Sequence, residues 1–213
     1  MLSSRAAVLP TKLEAAGLSK SFAGPPLFSD LSFTVASGLT AVVGPNGSGK
    51  TTLIKILASL VRPGSGTVRI SRGPEDLSGD AKRRAVGWAG IDLAFYEDFT
   101  AIENLRFFRR AAGAAEDPGL VEARLAEVGL TSAAGKRVGA YSTGMKQRLR
   151  MAFARLFEPA ILLLDEPMAG LDEEGRAAVA RIIASSRRTG AVVLASNDAR
   201  DFEAPEQVVE LGK

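Results

Sequence analysis

The sequence predicts an α/β fold with a mostly parallel sheet, an antiparallel β edge and a helical subdomain. Strand-like apolar runs alternate with helical patterns along the chain, which is typical of a parallel sheet covered by helices. Residues 160–164 are continuously apolar, as in a strand buried on both faces. A glycine-rich loop joins a strand-like run to a helical run, which indicates a strand, loop, helix unit.

The composition bounds the function classes. The 213 residues are 46% hydrophobic, and the net charge of +3 is too small to indicate a nucleic-acid partner. The chain has no cysteine, which excludes thiolate metal sites, and no histidine, which excludes imidazole as an acid or base. It has no apolar run of membrane-spanning length, and residues 1–10 lack a secretory pattern. We expect a single cytoplasmic domain over residues 1–213.

The first predicted strands flank a turn. Residues 13–22 and 31–35 alternate apolar with small or polar residues, and a glycine and two prolines at 24–26 predict the turn between them. This pattern indicates the antiparallel edge. Phe22 lies just before the turn, where its ring can either stack on a purine base or cap the sheet edge as core.

Residues 44–51 fit the phosphate-loop pattern G-x-x-x-x-G-K-[ST] at every fixed position. A strand over residues 39–43 precedes the loop, and the apolar spacing of residues 53–58 predicts a helix after it. Glycines let backbone N–H groups surround a phosphate chain, and the helix N-terminus adds positive potential. The candidate ligands of a polyphosphate are Gly44, Pro45, Asn46, Gly47, Ser48, Gly49, Lys50, Thr51 and Thr52. The alternative is a glycine-rich turn that matches by accident.

The middle of the chain changes from strands to helices. Residues 67–70 and 84–88 predict strands, and a polar loop through Asp80 follows the first of them. Residues 100–131 predict helices. Thr100 and Glu103 form a capping-box pattern, and an Asp-Pro pair at 117–118 supplies a second helix start.

The last third returns to alternating helices and strands. Ser142 is placed to cap a helical segment that extends to residue 157, and Asp172 is placed to cap a helix over residues 173–188. The buried strand at 160–164 ends in Asp165 and Glu166, and residues 191–195 and 208–211 predict two further strands. Acids at the end of a buried strand are costly unless they have a function.

Four motifs in order resemble those of the nucleotide-binding subunit of ATP-binding-cassette (ABC) transporters, over residues 13–211. Beside the phosphate loop, residues 141–145 stand in the place of the signature motif. Residues 161–166 resemble the Walker B strand, and residues 169–172 resemble the D-loop. Any one of these matches can be chance, but the set in this order identifies the family.

The resemblance implies an organisation and a set of partners. It implies a P-loop NTPase (RecA-like) nucleotide-binding core over residues 1–90 and 158–213, and a helical subdomain over residues 91–157. It implies ATP and Mg²⁺ as cofactors. The partners implied are integral membrane transporter subunits and a second ATPase chain, identical or related, in a head-to-tail dimer. Such a chain lies peripherally at the inner face of the cell membrane.

The resemblance and the chemistry of the side chains imply catalytic roles. Lys50 would reach the β- and γ-phosphates, and Thr51 with Asp165 would hold Mg²⁺. Glu166 is the candidate general base, because a carboxylate one residue beyond the metal ligand can point at the attacking water. The alternative for Glu166 is a surface acid that precedes a helix.

Further roles concern the dimer. Ser142 and Gly144 would bind the γ-phosphate of the other chain's nucleotide, and Asp172 resembles the residue that couples the two sites. Phe22 stands where the family stacks the base.

Three positions depart from the family pattern. Ile91 takes the place of the Q-loop glutamine and cannot ligate a metal. Asp92 is adjacent, but strand alternation predicts that it points away. Asn197 takes the place of the switch histidine, and residues 143–145 alter the signature motif. Asn197 remains a candidate catalytic residue that donates a neutral hydrogen bond, so we expect slow turnover.

These observations leave three function classes. The first is an ATP-hydrolysing transporter subunit, and residues 103–107 resemble those of the small haem-export (cytochrome c maturation) ATPases. The second is an ATP-dependent dimerisation switch that scarcely hydrolyses. The third is a soluble ABC ATPase of translation or DNA repair, whose tandem cassettes and zinc modules have no counterpart in this sequence.

Overall fold

A computed structural model describes residues 9–201 and 204–212 of the chain. The strands are β1 (Thr11–Lys20), β2 (Phe28–Val35), β3 (Gly38–Val43), β4 (Ser65–Arg72), β5 (Glu75–Asp76), β6 (Val86–Ala89), β7 (Ile161–Asp165), β8 (Ala191–Ala195) and β9 (Gln207–Glu210). The helices are α1 (Lys50–Leu57), α2 (Gly79–Ala85), α3 (Ala101–Ala111), α4 (Pro118–Glu127), α5 (Thr143–Ala154) and α6 (Glu173–Thr189). The prediction about a secretory signal falls mostly on residues 1–8, outside the described residues.

The strands form two sheets. β2, β1, β4 and β5 pair antiparallel in that order, and β6, β7, β8, β3 and β9 form a parallel sheet in that order. The predicted α/β class is confirmed, with the antiparallel strands forming a sheet of their own. In the parallel sheet all carboxyl ends lie at one edge, so the loops that leave β3, β6, β7 and β8 meet there.

The parallel sheet separates two apolar clusters. In β7, Leu162 and Leu164 face the cluster built with α3 to α6, whereas Ile161 and Leu163 face the cluster built with α1 and the antiparallel sheet. β8 alternates in the same way. Each buried leucine contributes about 1.5–3 kcal/mol. Burial on both faces explains why these strands are continuous apolar runs in the sequence. It also fixes the position of Asp165 at the carboxyl end of the sheet.

The helix starts follow their capping residues. Thr100 and Glu103 form the predicted capping box at α3, and Ser142 and Asp172 accept hydrogen bonds from the backbone at the starts of α5 and α6. Asp117 caps α4 with proline at its first position, as predicted.

The helix α2 was not predicted. It begins at Gly79, within the polar loop predicted through Asp80, and it includes Arg84, which was predicted at the start of a strand. Ala85 is its only buried residue, so the sequence carries no apolar periodicity from which to predict it. No helix among the described residues is both long and apolar enough to span a membrane.

Candidate functional site

The phosphate loop turns tightly from β3 into α1. Gly44 has φ 156°, and a Cβ added there would lie 2.6 Å from both the Leu211 carbonyl oxygen and Ser48 Oγ. Gly49 caps α1 with φ 97°, a left-handed conformation that favours glycine. Glycine is therefore required at position 44 because a side chain would not fit, and favoured at position 49 because the backbone is left-handed.

Polar groups of the loop point inward. Lys50 is only 7% exposed, and its ammonium donates to the carbonyl oxygens of Gly44 (2.7 Å) and Pro45 (3.0 Å). Ser48 Oγ is buried and has no hydrogen-bond partner among the described residues. A buried hydroxyl without a partner is costly, and a phosphate oxygen would satisfy it.

Asp165 ends β7 beside the phosphate loop. It is 5% exposed. Burial raises the pKa of its carboxyl, and the nearby Thr51 hydroxyl and Lys55 charge oppose that rise. The described residues include no cluster of three or more Asp, Glu, His or Cys side chains that could hold a metal. Mg²⁺ bound to phosphates needs only one or two protein oxygens, so Thr51 and Asp165 fit that ion.

Glu166 turns away from the strand. Its φ of 48° is left-handed, and its N–H donates to the Ala195 carbonyl oxygen at 2.8 Å. Its carboxylate accepts the Asn197 backbone N–H at 2.9 Å and lies 3.2 Å from Ser196 Oγ. Burial raises the pKa of Glu166, although the neighbouring Ser196 hydroxyl and the Asn197 N–H oppose that rise. The structure thus brings Glu166 and Asn197 together through the backbone of Asn197, while the Asn197 side chain is exposed.

A second carboxylate lies behind this contact. Ser196 Oγ is 2.6 Å from Asp201, and Arg176 on α6 donates to the other Asp201 oxygen at 2.7 Å. Because Ser196 has one hydroxyl proton, the shorter bond assigns it to Asp201. Sequence reasoning missed this network, although a serine directly after five buried residues of β8 was a usable signal.

A buried amide supports Glu166 from α5. Gln147 is 4% exposed, and its Nε2 donates to the Glu166 carbonyl oxygen at 3.1 Å. Arg150 donates to Gln147 Oε1 at 2.9 Å and to the Leu93 carbonyl oxygen at 3.0 Å. Sequence reasoning also missed this pair. A polar residue on the buried face of an amphipathic helix was the available signal.

The residues predicted to act across a dimer lie close to one another. Ser142 is exposed at the start of α5, and a Cβ added to Gly144 would lie 3.1 Å from the Gly170 carbonyl oxygen. Asp172 uses its side chain to cap α6, accepting from Gly175 N–H at 2.8 Å. The signature segment and the D-loop therefore form neighbouring parts of one surface.

Phe22 follows β1 and is 67% exposed, so its alternative as sheet-edge core is wrong. The Lys20 ammonium lies 4.9 Å from the ring centroid. The ring is free to stack on a planar group.

Ile91 and Asp92 lie after the end of β6. Ile91 is 68% exposed. Asp92 forms an ion pair with Lys55 of α1. Burial is the main cause of the raised pKa of Asp165, and the Asp92 charge adds to it. The strand ends at Ala89, so strand alternation does not extend to Asp92, and the expectation that Asp92 points away from the site stays a prediction.

Comparison with known proteins identifies the family to which this chain belongs. Residues 28–169 match the family described as ABC transporter. The chain is 38% identical over 191 residues to the uncharacterized ABC transporter ATP-binding protein YxlF of Bacillus subtilis, covering 87% of this chain and 62% of that protein. It is 34% identical over 187 residues to the daunorubicin resistance ATP-binding protein DrrA3 of Streptomyces coeruleorubidus, covering 86% and 59%. The chain thus spans about three fifths of the length of these relatives.

Solved structures agree with the sequence match. A structure titled as the ATP-binding subunit of an ABC transporter superposes with a TM-score of 0.78 at 28% identity, covering 93% of this chain and 85% of that one. A second, from Pyrococcus furiosus, has a TM-score of 0.76 at 21% identity and covers 94% of this chain and 97% of that one. The second likeness concerns the fold alone.

Proposed function

The chain belongs to the ABC transporter family, and from this premise we propose that it binds and hydrolyses ATP to drive transport through partner membrane subunits. The observation that carries the proposal is the buried Asp165 at the end of β7, which lies near Lys50 and Thr51 of the phosphate loop. A metal-bound triphosphate would be held between that loop and this carboxylate. The narrower resemblance to haem-export ATPases stays a prediction.

The phosphate loop binds the nucleotide in this proposal. Lys50 exchanges its two carbonyl partners for β- and γ-phosphate oxygens, and the loop N–H groups with Ser48 Oγ bind the remaining oxygens. Thr51 and Asp165 hold Mg²⁺, which when bound neutralises charge on the phosphates. Thr52 adds a donor in the first turn of α1. Phe22 stacks on the adenine ring.

Glu166 acts as the general base. Its carboxylate takes a proton from the water that attacks the γ-phosphate, and ADP and phosphate are the products. A raised pKa improves a carboxylate as a base, provided that it stays ionised at neutral pH. Asn197 donates a neutral hydrogen bond towards the γ-phosphate with its exposed amide.

The second half of each site comes from another copy or a related ATPase chain. The exposed Ser142 and the backbone at Gly144 bind the γ-phosphate in the partner's loop, in a head-to-tail dimer, and Asp172 couples the two sites. In this proposal the nucleotide-binding core comprises residues 1–90 and 158–213, with a helical subdomain over residues 91–157. The protein then works in the cytoplasm, at the inner face of the membrane.

A hydrolysis-poor dimerisation switch is the second candidate. It is favoured by one observation: the Glu166 carboxylate accepts the Asn197 N–H, a bond that stabilises the ionised carboxylate and so makes it a weaker base. Both candidates predict ATP-dependent dimers, and they differ in turnover.

The Glu166→Gln variant tests the proposal. The amide keeps the shape of the side chain but cannot accept the proton, so ATP binding persists while the chemical step stops. We expect a dimer in size-exclusion chromatography with Mg-ATP, whereas wild-type protein hydrolyses ATP in multiple turnovers. Wild-type protein that dimerises without turnover selects the switch, and a variant that stays monomeric with ATP bound contradicts the dimer.

A further inference from the structure

Residues 90–93 follow β6 and are connected to Glu166 by three hydrogen bonds. The Leu93 carbonyl oxygen accepts from Arg150, Arg150 donates to Gln147, and Gln147 donates to the Glu166 carbonyl oxygen, with lengths of 3.0, 2.9 and 3.1 Å. We propose that Gln147 and Arg150 are positioning residues that hold the Glu166 backbone and link it to the loop at 90–93. This inference rests on the proposed function, and we call the pair the Arg150–Gln147 bridge.

The backbone of Glu166 needs such support. A left-handed φ is sparsely populated for glutamate and persists only where the surroundings hold it. The N–H of Glu166 donates to the Ala195 carbonyl oxygen, and its carbonyl oxygen accepts from Gln147 Nε2 at 3.1 Å and from the Ala169 N–H at 3.2 Å. Loss of the Gln147 bond would leave the carbonyl oxygen with the longer bond alone, so the peptide plane after Glu166 would be held less firmly and the carboxylate would be positioned less precisely.

Arg150 determines which way the Gln147 amide faces. A guanidinium only donates hydrogen bonds, so the Gln147 atom that faces it must be Oε1. The amide nitrogen is then directed to the Glu166 carbonyl oxygen. Because Gln147 is buried, both of its polar atoms need these partners. Without Arg150, the amide loses the contact that selects its orientation.

The other end of the bridge reaches an exposed loop. Arg150 uses Nε for Leu93 and Nη1 for Gln147, a two-pronged geometry that a lysine ammonium does not reproduce. Burial lowers the pKa of the Arg150 guanidinium, and the charge of Asp92 in the same loop opposes that shift. Ile91 of this loop is 68% exposed. A shift of the loop would therefore pull on Arg150 and change the support of the base.

The test combines steady-state kinetics with fluorescence of Trp88, the only tryptophan. Its indole packs on the loop, because a Cβ added to Gly90 would lie 2.7 Å from Trp88 Cζ2. Gln147→Leu should lower kcat about tenfold. The KM and Kd for ATP should stay within about twofold, since the phosphate loop is untouched. Arg150→Met should lower kcat by the same factor and also shift the Trp88 emission of the nucleotide-free protein.

Two further variants make the test specific. The double variant should lose no more than either single variant, because the two residues act in series. Arg148→Met is the matched control: Arg148 lies on the same helix but donates to the carbonyl oxygens of Val128 and Gly129. It should leave both kcat and Trp88 emission at wild-type values.

Three results would overturn the bridge. They are a kcat for Gln147→Leu within about twofold of wild type, a double variant that loses the product of the two factors, and equal losses in Arg148→Met. Wild-type protein without any ATPase activity would overturn the proposed function instead. In that case the fluorescence still decides the bridge, since unchanged Trp88 emission in Arg150→Met contradicts the link to the loop.

Discussion

β6 and β7 are adjacent parallel strands, yet the segments that leave them differ sharply. β7 ends at Asp165, which is buried near α1, and is followed by Glu166, whose polar groups are bound by residues from α5 and the segment after β8. β6 is followed by Ile91, which is largely exposed, and Asp92, which pairs with a lysine of α1. The chain therefore fixes its chemical groups internally and leaves the neighbouring loop accessible to other molecules.

The difference between the two strand ends indicates which of them is held rigidly. Buried charges need several partners, so the end of β7 has one arrangement that the fold determines. An exposed loop with a surface ion pair gains little from that pair, about 0–1 kcal/mol, and can adjust at low cost. Substitutions at the two strand ends should therefore have very different effects.

The largest effect is expected at the phosphate loop, which lies beside the end of β7. Lys50→Ala removes a buried cation, and we expect ATP affinity to fall about hundredfold, because charge-assisted bonds are worth about 1.5–3 kcal/mol each. Isothermal titration calorimetry with Mg-ATP measures this. Lys55→Ala is the control on the same helix, since Lys55 pairs with Asp92, and should change affinity only a few fold. Unchanged affinity in Lys50→Ala would place the nucleotide elsewhere.

A second prediction concerns a histidine introduced after β8, next to Glu166. Asn197→His should raise kcat about tenfold, or about 1.4 kcal/mol, because a longer and protonatable side chain improves a contact to the γ-phosphate. The backbone N–H bond to Glu166 does not depend on the side chain and is kept. The variant should gain a pH dependence near neutrality that the histidine-free parent lacks. A flat or lower kcat at constant ATP affinity would mean that position 197 does not face the nucleotide.

A third prediction concerns the stability cost of the buried acid. Burial raises the pKa of Asp165 in the folded state, so the native protein binds more protons than the unfolded chain and loses stability as pH rises between the two pKa values. Asp165→Asn removes that cost and should raise the Tm of nucleotide-free protein by about 2–4 °C at pH 7. The gain should vanish as pH falls below the unfolded pKa. Differential scanning fluorimetry across pH measures it, and an unchanged or lower Tm at pH 7 contradicts the assignment.

The smallest effect is expected at the end of β6. Ile91→Gln changes an exposed side chain, so stability should stay within about 0.5 kcal/mol and kcat of the isolated protein within about twofold. ATPase assays and thermal melts measure both. A tenfold rise in kcat would show that the side chain at position 91 acts directly in the catalytic site. The ends of β6 and β7 would then no longer differ in their importance for catalysis.

Sequence reasoning predicted the elements whose physics is local. The phosphate loop, the caps at Thr100 and Asp172, and the doubly buried β7 and β8 each carry a pattern within a few residues. α2 carried no apolar face, so it was missed. The support of Glu166 was missed for another reason. Gln147 lies 19 residues earlier in the chain, and only the packing of α5 on the sheet brings the two together.

The Lys50 ammonium donates to two carbonyl oxygens of its own loop. A ligand that recruits this cation must replace both bonds before it gains anything from it. A single phosphate offers little beyond that exchange, whereas a triphosphate brings more negative charge and can contact the whole loop. The self-contact of Lys50 therefore favours ligands that bind the loop at several points over small anions.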